Sequence, residues 1–196
     1  MKKIVLLTFI IIISFSANLF ANENQEIKRI SEGSENAKIT IITYESLTCG
    51  HCADFHKNVY PNLKKNFIDT GLVKIEFRHF PLDIAAFNAS KIGQCNNDGK
   101  SEVLHTLFLG QKKWAKGNSP EEAKTHLKKF LKDENVKVDF EKCLKDKDIE
   151  DYVLNDRIEG VKKFKVNATP TIIINDKKFD KALNYNNLKK YLEKLI

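Results

Sequence analysis

The sequence predicts an α/β fold in which a long helical stretch separates a β-α-β half from a β-β-α half. Three observations predict it. Two strand-patterned segments, Lys38 to Tyr44 and Leu72 to Phe80, flank one amphipathic helix. From about Asp83 to Val166 the apolar spacing is helical throughout. A short hairpin and a terminal amphipathic helix follow.

Residues 22–37 are polar, with Ile27 and Ile30 the strong apolar points, so at most one short strand fits there. Lys38 to Tyr44 (KITIITY) carries apolar and β-branched residues on both faces, which suits a central strand covered on both sides. The following helix is expected from about Gly50 to Phe67, with Phe55, Val59, Leu63 and Phe67 on one stripe. Pro61 is predicted to kink it or end its first half, and Asp69-Thr70-Gly71 stops it. In Leu72 to Phe80 (LVKIEFRHF), Val73, Ile75 and Phe77 alternate with Lys74, Glu76 and Arg78, a strand with one buried face. The crossover makes these two strands parallel.

Within the helical stretch, Leu104, Leu107 and Phe108 mark one helix. Ser119-Pro120-Glu121-Glu122 starts the next, combining an N-cap serine, proline at the first position and a capping-box glutamate. Phe140, Cys143 and Leu144 mark a short helix, and Ile149, Val153, Val161 and Phe164 a long one. Ala168-Thr169-Pro170-Thr171 leads into Ile172 to Ile174, and Asn175-Asp176 turns the chain into Lys177 to Phe179. Leu188, Tyr191, Leu192 and Leu195 form the terminal helix. Trp114 and the Phe stripes are expected in the core.

Residues 1–21 read as a secretory signal. Lys2 and Lys3 precede the apolar run Ile4 to Ile13, and Leu19-Phe20-Ala21 leads into polar Asn22-Glu23-Asn24-Gln25. Cleavage is expected after Ala21, with Ala17 the alternative; an uncleaved anchor is the rival reading, although the run is short of the about 20 residues a bilayer span needs. The remainder is long enough for one domain or a domain with an insertion. The formal charge of +7, to which Lys2 and Lys3 contribute two, is spread over Lys/Glu surfaces such as Lys124 to Lys137. Arginine is rare, so the excess reads as a solvated face and not as a nucleic-acid surface.

The chemistry concentrates in Cys49-Gly50-His51-Cys52, placed between the first strong strand and its helix. Two sulfurs one helical turn apart can bridge without distorting the backbone. At the helix start, unpaired N–H groups and the positive end of the macrodipole favour a Cys49 thiolate, the species that attacks disulfides. His51 can add a hydrogen bond or a nearby charge. A zinc pair completed by His56 is a rival, but no second C-x-x-C or Cys/His cluster supplies a tetrahedral site. Haem attachment would need histidine where Ala53 stands. An inert disulfide is the remaining alternative.

In an exported chain the four cysteines read as potential disulfides. Adjacency pairs Cys49 with Cys52 and leaves Cys95 with Cys143, either bridged or as two buried free thiols. A bridge would close a loop of roughly 49 residues and stabilise by about 4 kcal/mol. His79, His105 and His126 show no partner spacing and are expected at the surface or a strand edge.

Taken together, three segments resemble the DsbA-like branch of the thioredoxin superfamily. They are Tyr44-Glu45-Ser46-Leu47-Thr48-Cys49-Gly50-His51-Cys52, Phe77-Arg78-His79-Phe80-Pro81-Leu82-Asp83 and Thr169-Pro170-Thr171. The resemblance implies a thioredoxin fold over 22–82 and 167–196, with a helical domain, 83–166, inserted between its halves. It implies Cys49 as nucleophile, Cys52 as resolving thiol, and a cis Pro170 facing them, with the Thr169 backbone open to an extended substrate segment. Relatives carry a buried acid six residues before the first cysteine; here that place is Thr43, which leaves two readings: Glu45 or Glu76 moves the proton of Cys52 through water, or both are surface carboxylates.

The implied activity is a periplasmic thiol:disulfide oxidoreductase that introduces disulfides into newly exported proteins and is re-oxidised by a quinone-linked membrane partner. It would need neither cofactor nor metal. Reductase and isomerase directions, and a chaperone-like binding module, are the alternatives. Residues 22–37 are too few for the dimerisation domain that isomerases of this superfamily carry, and a monomer is expected.

Overall fold

The computed structural model describes residues 26–196, so the expected signal segment, 1–21, lies outside the described residues. Five strands form one mixed sheet: β1 (Ser31–Glu32), β2 (Ile39–Glu45), β3 (Val73–His79), β4 (Thr171–Ile174) and β5 (Lys177–Lys178), in the order β1-β3-β2-β4-β5. β2 and β3 are parallel, paired from Ile39 with Val73 to Glu45 with His79. β4 runs antiparallel to β2, and β5 and β1 are short antiparallel edges. No helix among the described residues is long and apolar enough to cross a membrane.

The central place of β2 explains why apolar residues fall on both of its faces. Ile39 and Ile41 pack into the larger core with Phe55, Leu63 and Phe77, while Ile42 and Tyr44 point into a second cluster with Phe80, Val166 and Ile173. A one-residue slip would exchange these two sets, so the register is strongly specified.

The chain remains helical from Gly50 to Ile68, but not uniformly. α1 (Gly50–Asp54) and α2 (Tyr60–Leu63) are each followed by a wide π-helical turn, Phe55–Val59 and Lys64–Ile68. Pro61 therefore neither ends the helix nor breaks it. It stands in the first turn of α2, next to a wide turn in which the regular i→i−4 ladder is already interrupted. Phe55, Val59, Leu63 and Phe67 are all buried against the sheet.

The intervening helices are α3 (Ile84–Gln94), α4 (Glu102–Leu109), α5 (Gln111–Trp114), α6 (Pro120–Asp133), α7 (Phe140–Lys145) and α8 (Lys147–Phe164). Asp83 caps α3 by accepting the Ala86 amide at 2.7 Å. Ser119 caps α6 by accepting the Glu122 amide at 3.2 Å, while the Glu122 carboxylate reaches back to the Asn118 amide, one residue before the cap. Cys95 and Cys143 are bridged, tying the end of α3 to α7. α8 covers the second sheet face so closely that a Cβ on Gly160 would lie 2.7 Å from the Tyr44 ring. The last helix is α9 (Tyr185–Leu192), where Leu188 and Leu192 are buried but Leu195, beyond its end, is exposed. Val161 is likewise exposed on α8.

Candidate active site

The dithiol sits where β2 hands over to α1. Cys49 is the extended N-cap residue of α1 and half-buried; Cys52, one turn inside, is fully buried, and both are free thiols. The approach to the helix is held from three sides. Leu82 donates its amide to Ser46 Oγ at 3.3 Å, and Thr48 Oγ1 donates to the Asp83 carboxylate at 2.6 Å. From α5, the Gln111 amide donates to the carbonyls of Leu47 at 2.8 Å and Cys49 at 3.0 Å. Asp83 thus positions the dithiol loop and starts α3 with one carboxylate.

Opposite stands the Thr169–Pro170 peptide, which is cis. Cys49 Sγ lies 3.3 Å from the Thr169 carbonyl oxygen, to which the protonated thiol can donate. A thiolate has no proton to give that carbonyl. The Thr169 hydroxyl is buried and has no partner among the described residues, so it is available to turn its O–H to the sulfur instead.

The two sulfurs are strongly polarised against each other. The Cys49 pKa is brought from 9.0 to about 5, first by the Cys52 thiol donating to its sulfur, then by the Thr169 side chain and the Cys52 and His51 amides, which outweigh partial burial. Cys52 is pushed well above the ordinary thiol range by burial, by that same hydrogen bond, and by the negative charge of Glu45. The Cys52 amide also reaches the Cys49 carbonyl at 3.1 Å, so it is shared between that oxygen and the sulfur. His51 is exposed, and its backbone N–H is the part that supports the thiolate.

Two grooves flank α1. One, of about 520 Å³, is lined by His51, Phe55, Thr169, Pro170, Leu183 and Tyr185. The other lies between α1 and the α4–α5 corner, with Ala53, Phe108, Leu109 and Gly110 on its walls. Leu82, Ile84 and Leu109 are exposed.

Glu45 and Glu76, the two acids considered for the proton of Cys52, separate cleanly. Glu76 pairs with Arg78 at 2.9 Å and lies on the β3 face away from Ile75 and Phe77. Glu45 is buried at the end of β2 and lies on the same strand face as Thr43, since side chains alternate with period two. Sequence reasoning missed the surroundings of Glu45. His56, a possible zinc ligand by sequence, is committed to Glu45 at 3.0 Å and to His105 at 2.8 Å. His79 and His105 also depart from the expected surface positions. His79 is buried, bonded to Gln94 at 3.2 Å, with its pKa lowered by burial. His105 packs inward from α4 because Phe77 and Tyr60 offer it aromatic walls. Gln111 was also unforeseen, as nothing local in the sequence connects it to the dithiol loop.

A thioredoxin family model matches residues 25–194. Among curated relatives, the putative protein-disulfide oxidoreductase of Rickettsia bellii is 30% identical over 145 residues, covering 73% of this chain and 55% of that protein. Disulfide bond formation protein D of Bacillus subtilis is 27% identical over 173 residues, covering 83% of this chain and 74% of that protein. The chain thus spans about half the length of the Rickettsia bellii relative, and 36% of the Rickettsia prowazekii one. Among solved structures, alpha-DsbA1 of Wolbachia pipientis superposes with a TM-score of 0.75 at 30% identity, over 85% of this chain and 90% of that one. BdbD of Bacillus subtilis, 23% identical with a TM-score of 0.67 over 85% of this chain and 92% of that one, shares the fold. With the family model matched from before β1 to beyond α9, and the free dithiol at the same strand-to-helix junction the sequence indicated, the chain belongs to the thioredoxin family, on its DsbA-like branch.

Proposed function

We propose that the chain is an exported dithiol oxidase that transfers the Cys49–Cys52 disulfide to newly translocated proteins. One observation carries this reading: a single helical turn separates a thiol drawn down to about 5 from a thiol driven far up. A stable Cys49 thiolate is a good leaving group and stabilises the reduced form, so the disulfide is oxidising.

In the forward direction a client thiolate attacks Cys49 Sγ of the oxidised protein. The Cys49–Cys52 bond breaks, a client–Cys49 mixed disulfide forms, and Cys52 leaves as a thiolate that takes up a proton. A second client thiolate then attacks the client sulfur of the mixed disulfide. The client gains its disulfide, and Cys49 leaves as the stabilised thiolate. Two electrons have passed from client to enzyme. Re-oxidation reverses the Cys49 step on the disulfide of a membrane partner that delivers the electrons to quinone.

The groove bearing Thr169 and Pro170 would seat the client, with Thr169 backbone groups pairing to an extended segment. The mature region would comprise the thioredoxin-fold parts 22–82 and 167–196 and the helical insert 83–166, acting in the periplasm after loss of residues 1–21. The names of the Rickettsia and Bacillus relatives support the reaction class.

The test is the equilibrium of the dithiol against glutathione, read by mass after acid quenching. A reduction potential at or above about −230 mV, the glutaredoxin and disulfide-isomerase side of the scale, is the expected result. A value near about −270 mV, that of thioredoxin, makes the chain a reductase instead. Unchanged client binding and biological effect in Cys49→Ser would make it a chaperone-like module.

A further inference from the structure

Cys52 gains or loses a proton in every cycle, yet its side chain is sealed from solvent. The acid whose charge acts on it, Glu45, has one oxygen, Oε1, with no hydrogen-bond partner among the described residues. Its other oxygen begins a chain. Glu45 Oε2 lies 3.0 Å from His56 Nε2, His56 Nδ1 lies 2.8 Å from His105 Nδ1, and His105 Nε2 lies 2.9 Å from Glu32 Oε1. Side-chain exposure rises along it, from 0% and 3% at His56 and Glu45 to 18% and 15% at His105 and Glu32. The chain therefore runs from the interior to the surface. Phe108 stacks on His56 at 4.0 Å and Phe77 flanks both rings, which walls the middle with apolar surface.

Proton counting shows what this arrangement holds. Three hydrogen bonds need three protons, and two neutral imidazoles carry only two. Carboxylates at both ends can only accept, so the completed chain contains one further proton. Glu32 does not hold it. The hydrogen bonds donated by His105, Ser101, Tyr60 and Lys64 overcome burial and keep Glu32 far below the usual carboxylate range. The remaining proton belongs to the imidazoles or to Glu45, and it can shift along the line without any heavy atom moving far.

We infer that Glu45, His56, His105 and Glu32 form a proton relay that serves the resolving thiol and opens on the face of α4, away from Cys49. This inference rests on the oxidoreductase reading and deepens it. When Cys52 attacks a Cys49 mixed disulfide, its S–H proton passes to Glu45 and one proton leaves at the His105–Glu32 end. The Cys52–Cys49 bond forms, and the partner sulfur departs with the electron pair of the broken bond. In client oxidation the Cys52 thiolate is the leaving group, and the same line returns a proton. The outer end lies in a cavity of about 510 Å³, where Lys57, Lys64, Lys100 and Glu102 are the charged neighbours. It shares no residue with the groove over Pro170. A client seated in the Pro170 groove therefore leaves the proton exit open. His56 and His105 are positioning and relay residues in this scheme, since neither touches the reacting sulfurs.

The test separates the two thiol steps. The reduced protein is mixed with oxidised glutathione; formation of the Cys49–glutathione adduct and its resolution by Cys52 are followed by acid quenching and mass spectrometry. In His105→Ala, resolution at neutral pH is expected to slow by about a hundredfold, the lower end of general acid–base effects. Adduct formation should keep its rate, and added imidazole should restore resolution. His105→Gln, which keeps hydrogen-bonding groups but passes no proton, carries the test if the alanine variant does not fold. It should slow resolution likewise and make it depend on buffer-base concentration. A folded variant that resolves at the unaltered rate overturns the relay, as does slowing that neither imidazole nor buffer base relieves. If the unaltered protein forms no adduct at Cys49, or forms one that Cys52 never resolves, the oxidoreductase reading itself falls and the relay with it.

Discussion

Cys95 and Cys143 are bridged across 48 residues inside the helical insert, whereas Cys49 and Cys52, three positions apart at a helix start, are free thiols. The difference lies in what each pair can do to the chain and what the chain does to each pair. A bridge closing a long loop removes conformations from the unfolded state and so stabilises the fold. A bridge within one helical turn removes almost none, so its making and breaking leave the fold in place. Its redox balance is set instead by surroundings that favour charge on one sulfur and forbid it on the other. On the proposed function, the same residue type is scaffold in one region and reagent in the other.

Substitutions sharpen that comparison, and the largest effect is expected at the reagent. Cys49→Ser should reduce peptide oxidation to background while the thermal unfolding midpoint stays close to that of the reduced protein. The double change Cys95→Ser with Cys143→Ser should do the opposite. Dithiol exchange should persist at low temperature, and denaturant unfolding should show a loss of about 2–4 kcal/mol. If this double variant loses exchange while still folded, the two pairs are not separate in role.

Gln111→Ala reaches across from scaffold to reagent. It removes the α5 donor from the carbonyls of Leu47 and Cys49; the Cys49 carbonyl keeps the Cys52 and Ala53 amides, so the loss of about 1–3 kcal/mol expected for an unpaired buried group falls on Leu47. Chemical denaturation measures it; an unchanged midpoint would mean the Ser46–Leu82 and Thr48–Asp83 contacts hold the loop without it. The smallest effect is expected from Thr169→Val, which keeps the shape and removes the one hydroxyl available to the thiolate. The Cys49 alkylation midpoint should move upward and the disulfide should become less oxidising. A midpoint that stays in place would assign the polarisation to Cys52 and the helix start.

Much of this was legible in the residues. The unbroken β-branched run of β2, the alternation in β3, the hairpin at Asn175-Asp176 and the dithiol at the helix start all depend on local patterns. Glu45 was legible in part. Thr43, where the resemblance implies an acid, and Glu45 share a strand face, so an acid two residues along still points inward. The histidine chain was not legible, because His56 and His105 are 49 residues apart and meet only when α4 packs over the π-helical turn. His79 looked like a strand-edge residue and became interior because β3 ends in register with Glu45, beneath α3. Pro61 signalled a break, but the wide turns beside it absorbed the missing hydrogen bond.

The asymmetry between the two thiols of the dithiol is the claim on which the rest stands, and the pH profile of Cys49 alkylation tests it most directly. The folded pKa is depressed, so thiolate is present above it and is lost as pH falls through it. Iodoacetamide should modify Cys49 of the reduced protein at a rate that is half-maximal near pH 5 and approaches its plateau below neutrality, with Cys52 unmodified throughout. A rate that keeps rising to a midpoint near 9.0, the value of an ordinary thiol, would contradict the account.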